Sequence, residues 1–107
     1  MNFLDKIQNK KILVVGLGRT GKATLEMLGG KGCELYAQDS KARDDMDEAL
    51  VALIDRTCKH AFLGQDPDDT KFDYVIMSPG VSPELEFIQR AEKTGAEVIG
   101  ELELAYR

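Results

Sequence analysis

Three glycines stand at the centre of the chemistry this sequence can support. Gly16, Gly18 and Gly21 are spaced G-x-G-x-x-G, directly after the apolar run Ile12-Leu13-Val14-Val15 and directly before a helical pattern. A strand, a glycine turn and a helix start in that order make an anion cradle. Gly16 permits the tight turn, Gly18 has no Cβ to hold a phosphate off the backbone, and Gly21 lets the helix pack against the strand. The N–H groups of Arg19, Thr20 and Gly21 then face the ligand with the positive end of the helix dipole behind them. The Thr20 hydroxyl adds another donor. Asp39 comes 18 residues after Gly21, the interval at which an acid of this kind reaches a nucleoside. Its carboxylate can accept from ribose hydroxyls or from a base N–H. Ser78-Pro79-Gly80 ends a second apolar run, and Gly80 offers bare backbone against which a flat base can lie.

The same glycines nearly spell a different site. Residues 16–22 follow the P-loop pattern G-x-x-x-x-G-K, but the next residue is Ala23, where a magnesium-binding Ser or Thr is required. Thr24 is one position late, and no acidic strand of the second nucleotide-hydrolysis motif is evident. ATP hydrolysis by these residues is therefore excluded, and Lys22 reads as a first-turn surface lysine. No nucleophile has a base beside it and no pair of histidines exists, so no catalytic residue is assigned. The pattern describes a domain that holds something.

The elements that must position these residues follow from periodicity. Lys11–Val15 is continuous rather than alternating, as in the buried centre of a parallel sheet. A helix over about 19–29 stops at Gly29, Gly30 and Gly32. A second strand covers 34–38 and ends at Asp39-Ser40. A helix over about 44–57 carries Met46, Leu50, Leu53 and Thr57 on one face, with Ala49 and Ile54 beside them. Its crowded carboxylates, Asp44, Asp45, Asp47 and Glu48, suit a helix start. Strands are predicted over 60–63, 72–77 and 97–99, with a helix over 84–94 whose Leu85, Ile88 and Ala91 point inward. Residues 1–10 dock one helical turn or begin an edge strand. ELELAYR at 101–107 is a last helical or extended piece.

Strands alternating with helices mean a parallel sheet. With right-handed crossovers, the expected fold is α/β: a Rossmann-like, doubly wound, five-stranded sheet in the order 3-2-1-4-5. In such a sheet the ligand crevice lies at the carboxyl ends of the strands, where the order switches. The glycine turn, Asp39-Ser40-Lys41 and Ser78-Pro79-Gly80 should meet there.

Composition limits the ligand. The 107 residues fit one domain, and a net charge of −5 argues against a nucleic-acid face. It leaves phosphate open, because backbone N–H groups bind phosphate without side-chain charge. The opening residues lack the apolar core of a signal peptide, and no run reaches the ~18 apolar residues of a membrane span. A cytoplasmic protein is expected. Cys33 and Cys58 read as reduced, half-buried residues at strand edges. His60 reads as a strand residue rather than a ligand. Asp66, Asp68 and Asp69 form a solvated turn interrupted by Pro67, and no metal site is expected. From the glycines and Asp39 alone, a regulatory NAD-binding module and a module for another nucleotide fit equally.

Beyond these features, KILVVGLGRTGKA, the Asp39-Ser40 strand end, YVIMSPGVSPELEFIQRA and GAEVIGELELAYR together resemble the N-terminal domain of a Mur ligase. The resemblance runs from Lys11 to Arg107, most closely to the member that adds D-glutamate to the peptidoglycan precursor. It implies a domain that binds the UDP part of UDP-N-acetylmuramoyl-L-alanine. By position, Arg19 and Thr20 would lie at the diphosphate, within the UDP-binding turn that includes Gly18 and Gly21. Asp39 and Ser40 would meet the uracil, with Lys41 at the pocket edge and Gly80 lining it. The resemblance further implies that ATP and Mg²⁺ serve a central domain of the full-length enzyme. That domain and a C-terminal one would follow Arg107, leaving this part non-catalytic.

Overall fold

The computed structural model describes residues 3–68, 71–82 and 84–104. Asp69 of the acidic loop, Pro83 and the 105–107 end of the expected last segment lie outside the described residues.

Strand β1 (Lys11–Val15) is central because it is apolar on both faces. Ile12 and Val14 face one layer and Leu13 and Val15 the other, and none is more than 1% exposed. Each such burial contributes roughly 1.5–3 kcal/mol. Strand β2 (Glu34–Asp39) pairs with it on one side and β4 (Tyr74–Met77) on the other. Strands β3 (Cys58–Leu63) and β5 (Glu97–Gly100) form the edges. All four pairings are parallel, and the order is 3-2-1-4-5, as expected.

Helices cover both faces. On one lie α1 (Phe3–Lys6), α2 (Arg19–Leu28), α3 (Glu48–Thr57) and α5 (Glu101–Leu104), which bury Phe3, Leu25, Leu28, Leu53, Ile54 and Leu104 against Ile12, Val14 and Ile76. On the other, α4 (Glu86–Lys93) packs Phe87, Ile88 and Ala91 onto Leu13, Val15 and Val75. The N-terminal segment resolves as a helical turn whose Phe3 ring meets Tyr74 edge to face, 5.3 Å between centroids.

The structure corrects several local expectations. The second long helix begins at Glu48 rather than near Asp44; Arg43–Asp45 is a separate 3₁₀ turn, and Met46 is extended. The short acids compete with helix through their own backbone, and the break tucks Met46 against the core. Leu85 does not point inward but is 41% exposed. It occupies the N-cap position with extended backbone, so it lies ahead of the helical face that Phe87, Ile88 and Ala91 define. Strand β3 also starts two residues early, at Cys58. Cys33 and Cys58 are free and half-buried, and burial pushes both thiols above their ordinary pKa. His60 is an exposed strand residue against the Phe62 ring. Among the described residues, no helix is long and apolar enough to cross a membrane.

Candidate functional site

At the carboxyl end of β1 the chain turns at Gly16, whose φ of +88° is left-handed and favours glycine. A Cβ there would sit 2.9 Å from Ser78 Oγ and 3.0 Å from Val81 Cγ2, so the turn after β4 closes directly over it. A Cβ on Gly21 would overlap the Gly16 carbonyl oxygen. This is the close helix–strand approach that the third glycine was expected to allow. Gly18 differs: a Cβ on it would meet nothing within 4 Å. It caps α2 from extended backbone and faces open space where a ligand can approach.

One peptide group organises the site. The Gly16 carbonyl accepts from Ser78 Oγ at 2.8 Å, and the N–H of the same peptide, on Leu17, donates to Asp39 Oδ2 at 2.7 Å. Strand ends β1, β2 and β4 are thereby joined at the point where the sheet order switches. Asp39 Oδ1 accepts the Lys41 N–H at 2.8 Å, which bends the chain after β2. Each carboxylate oxygen has two lone pairs, so Asp39 keeps acceptor capacity toward the crevice. Ser40 and Lys41 lie exposed beside it.

The helix mouth is open. The bond from Lys22 N–H to Gly18 O, 2.9 Å, is the first of α2. The N–H groups of Arg19, Thr20 and Gly21 precede it and have no place in the helical ladder. Arg19 and Thr20 are exposed. Thr24 is buried, and its hydroxyl donates to the Thr20 carbonyl at 3.0 Å. It is spent inside the helix, which agrees with the rejection of a P-loop. Gly80 is exposed in the turn after β4, and a Cβ on it would meet nothing within 4 Å.

The structure adds two side chains to the predicted set. The Ser78 hydroxyl clamps the turn, although the sequence suggested only a backbone role for Ser78-Pro79-Gly80. Glu101, the first residue after β5, lies 3.2 Å from Ser78 Oγ through its Oε1. Both follow the last residue of a strand, and that position is the signal that could have found them. A cavity of about 220 Å³ opens beside the glycine turn, lined among others by Thr20, Ala23, Pro79, Glu101 and Leu104.

A glycine turn at the switch point of a 3-2-1-4-5 parallel sheet, with the next helix starting on it, defines a Rossmann-like α/β domain. Residues 10–100 match the family model described as Mur ligase MurD-like, N-terminal domain, and the chain belongs to that family. It is similar to proteins named UDP-N-acetylmuramoylalanine--D-glutamate ligase. To that of Alkaliphilus metalliredigens (strain QYMF) it is 35% identical over 106 residues, covering 95% of this chain and 23% of that protein. To that of Caldicellulosiruptor saccharolyticus it is 39% identical over 101 residues, covering 92% and 22%. The chain thus spans less than a quarter of the length of these relatives. Among solved structures, shikimate dehydrogenase from Aquifex aeolicus superposes with a TM-score of 0.55 at 14% identity, over 92% of this chain and 45% of that one. That likeness is one of fold.

Proposed function

We propose that this chain binds the UDP moiety of UDP-N-acetylmuramoyl-L-alanine. It does so as the N-terminal domain of an ATP-dependent ligase that adds D-glutamate in peptidoglycan synthesis. Gly18, Arg19, Thr20 and Gly21 hold the diphosphate through backbone N–H groups and the Thr20 hydroxyl. Asp39, Ser40 and Lys41 hold the uracil, and Gly80 lines its pocket. The observation that carries the reading is the Gly16–Leu17 peptide, held by Ser78 at its carbonyl and by Asp39 at its N–H. It sets the helix mouth and the Asp39 carboxylate in one fixed relation, as a ligand with a phosphate and a base requires.

The domain performs no chemistry of its own in this reading. ATP and Mg²⁺ serve the remainder of the full-length ligase, together with the domains that activate the substrate carboxylate and receive D-glutamate. The present residues do not fit an ATP–magnesium site: Ala23 has no hydroxyl, and that of Thr24 is bonded to Thr20. The work takes place in the cytoplasm, without nucleic acid or membrane as partner.

An amide-resolved NMR titration tests the assignment. UDP and UDP-N-acetylmuramoyl-L-alanine should shift the signals of residues 18–21 and Asp39 saturably. Saturable shifts with NADH and none with UDP would overturn it in favour of an NAD-binding regulatory module.

A further inference from the structure

The Ser78 hydroxyl stands between two acceptors. It is 2.8 Å from the Gly16 carbonyl and 3.2 Å from Glu101 Oε1. A hydroxyl carries one proton, so at any moment one of the two acceptors goes without. The other oxygen of Glu101, Oε2, is shut off from solvent and meets no donor among the described residues. Buried polar atoms without a partner are rare enough to need a cause. Here a carboxylate sits beside an anion cradle, short of donors on both oxygens, and also lines the cavity that opens next to the cradle.

We infer that Glu101 is a specificity-determining residue of the nucleotide site: its carboxylate takes a hydrogen-bond donor carried by the group attached to the bound diphosphate. The inference rests on the nucleotide-binding reading above. The cavity between Thr20, Ala23, Met27, Pro79 and Leu104 starts at the first turn of α2, next to the N–H groups that would hold phosphate. A substituent leaving the diphosphate there finds mostly apolar walls, the hydroxyl-bearing Thr20 and Thr24, and one carboxylate, that of Glu101. The part of it that meets Glu101 is therefore neutral, with an N–H or O–H and an apolar side, as an acetamido sugar ring offers. Rotation of the Glu101 carboxyl brings the unmatched oxygen to it. The donor satisfies Glu101 and leaves the Ser78 proton wholly to Gly16, which fixes the turn. A bare diphosphate has no such donor. It meets an uncompensated negative charge beside the cradle and a turn whose clamp is shared.

The test compares UDP with UDP-N-acetylglucosamine, a probe with both a hydroxyl-bearing ring and an amide N–H. Kd is measured by calorimetry on the 107-residue chain and on E101Q and E101M, with thermal unfolding to check the fold. The unsubstituted chain should prefer the sugar nucleotide by about fivefold or more. E101Q, neutral but still an acceptor, should bind UDP several-fold more tightly and keep a preference. E101M, without an acceptor, should bind both ligands within a factor of two. An equal Kd for the two ligands in the unsubstituted chain, or an unchanged preference in E101M, overturns the inference. If neither nucleotide binds the unsubstituted chain, the nucleotide reading itself fails, a result distinct from equal binding. Should E101M not fold, the ¹³Cδ resonance of Glu101 in the unsubstituted chain decides. It should move with UDP-N-acetylglucosamine and stay with UDP, and equal movement with both overturns the inference.

Discussion

The Leu17 amide donates to Asp39 Oδ2 at 2.7 Å across 22 residues of sequence. Asp39 is thus a structural acceptor before any ligand arrives, and its two roles can be separated. In D39A the partly buried Leu17 N–H loses its charged partner and the Lys41 N–H its turn. Stability should fall by about 2 kcal/mol, read from urea unfolding. D39N keeps one oxygen and should lose about half of that. Both should weaken UDP binding, and an unchanged unfolding midpoint in D39A would show that the contact holds nothing.

Two glycines five and two residues after Gly16 should fail in different assays. G21A places a methyl group on the Gly16 carbonyl and should destabilise the fold by about 2–3 kcal/mol. G18A meets open space from extended backbone, and its stability should stay within about 0.5 kcal/mol of the parent. Its methyl group enters the cradle, so UDP affinity should drop roughly tenfold, about 1.4 kcal/mol. Calorimetric binding beside thermal melts separates the pair. A G18A chain that binds UDP normally would argue against phosphate at this turn.

Ser78 is the other half of the clamp. S78A leaves the Gly16 carbonyl without its donor and should cost about 1 kcal/mol. The amide signals of Leu17 and Gly18 should broaden or shift even without ligand, which a purely local loss at β4 would not produce.

Alkaline pH should weaken the fold through its thiols. Burial raises the pKa of Cys58, and of Cys33 to the same effect, so the folded chain prefers the neutral form. That contribution is whole below the unfolded thiol's pKa and is lost as pH rises through the folded one. Urea midpoints should therefore fall between pH 8 and 10, and Cys58→Ala should flatten part of the fall. Alkylation of the folded chain at pH 8 should run several-fold slower than that of an unfolded peptide thiol.

The sheet was legible because two of its inner strands, β1 and β4, are written in continuous apolar runs. Ile12–Val15 and Val75–Met77 leave no polar face, as strands of a covered parallel sheet do, and the glycine and turn residues after them mark them as strands. The glycine turn was legible because each glycine has a steric reason that spacing alone conveys. Helix starts were less so. Asp44 to Glu48 has the composition of a helix N-terminus, yet tertiary packing of Met46 decides where the helix begins. The strand-end positions of Ser78 and Glu101 were legible, but the hydrogen bonds of the clamp were not. Ser78 lies 62 residues from Gly16, and Glu101 a further 23 on. Their meeting depends on the register of β4 and β5, which no local pattern reveals.

The doubly held peptide also has a consequence for the order of folding. Its two partners arrive from 22 residues and 62 residues away. The first needs β2 in register on β1, and the second needs β4 in register on the opposite side. A slip of one residue in either pairing turns the side chains to the wrong face. A sheet lacking either pairing therefore lacks the doubly held peptide. The doubly held turn forms only once the β1–β4 pairing, the more non-local of the two, is in register. If this turn holds phosphate as proposed, a partly unfolded chain lacks the doubly held peptide that positions it.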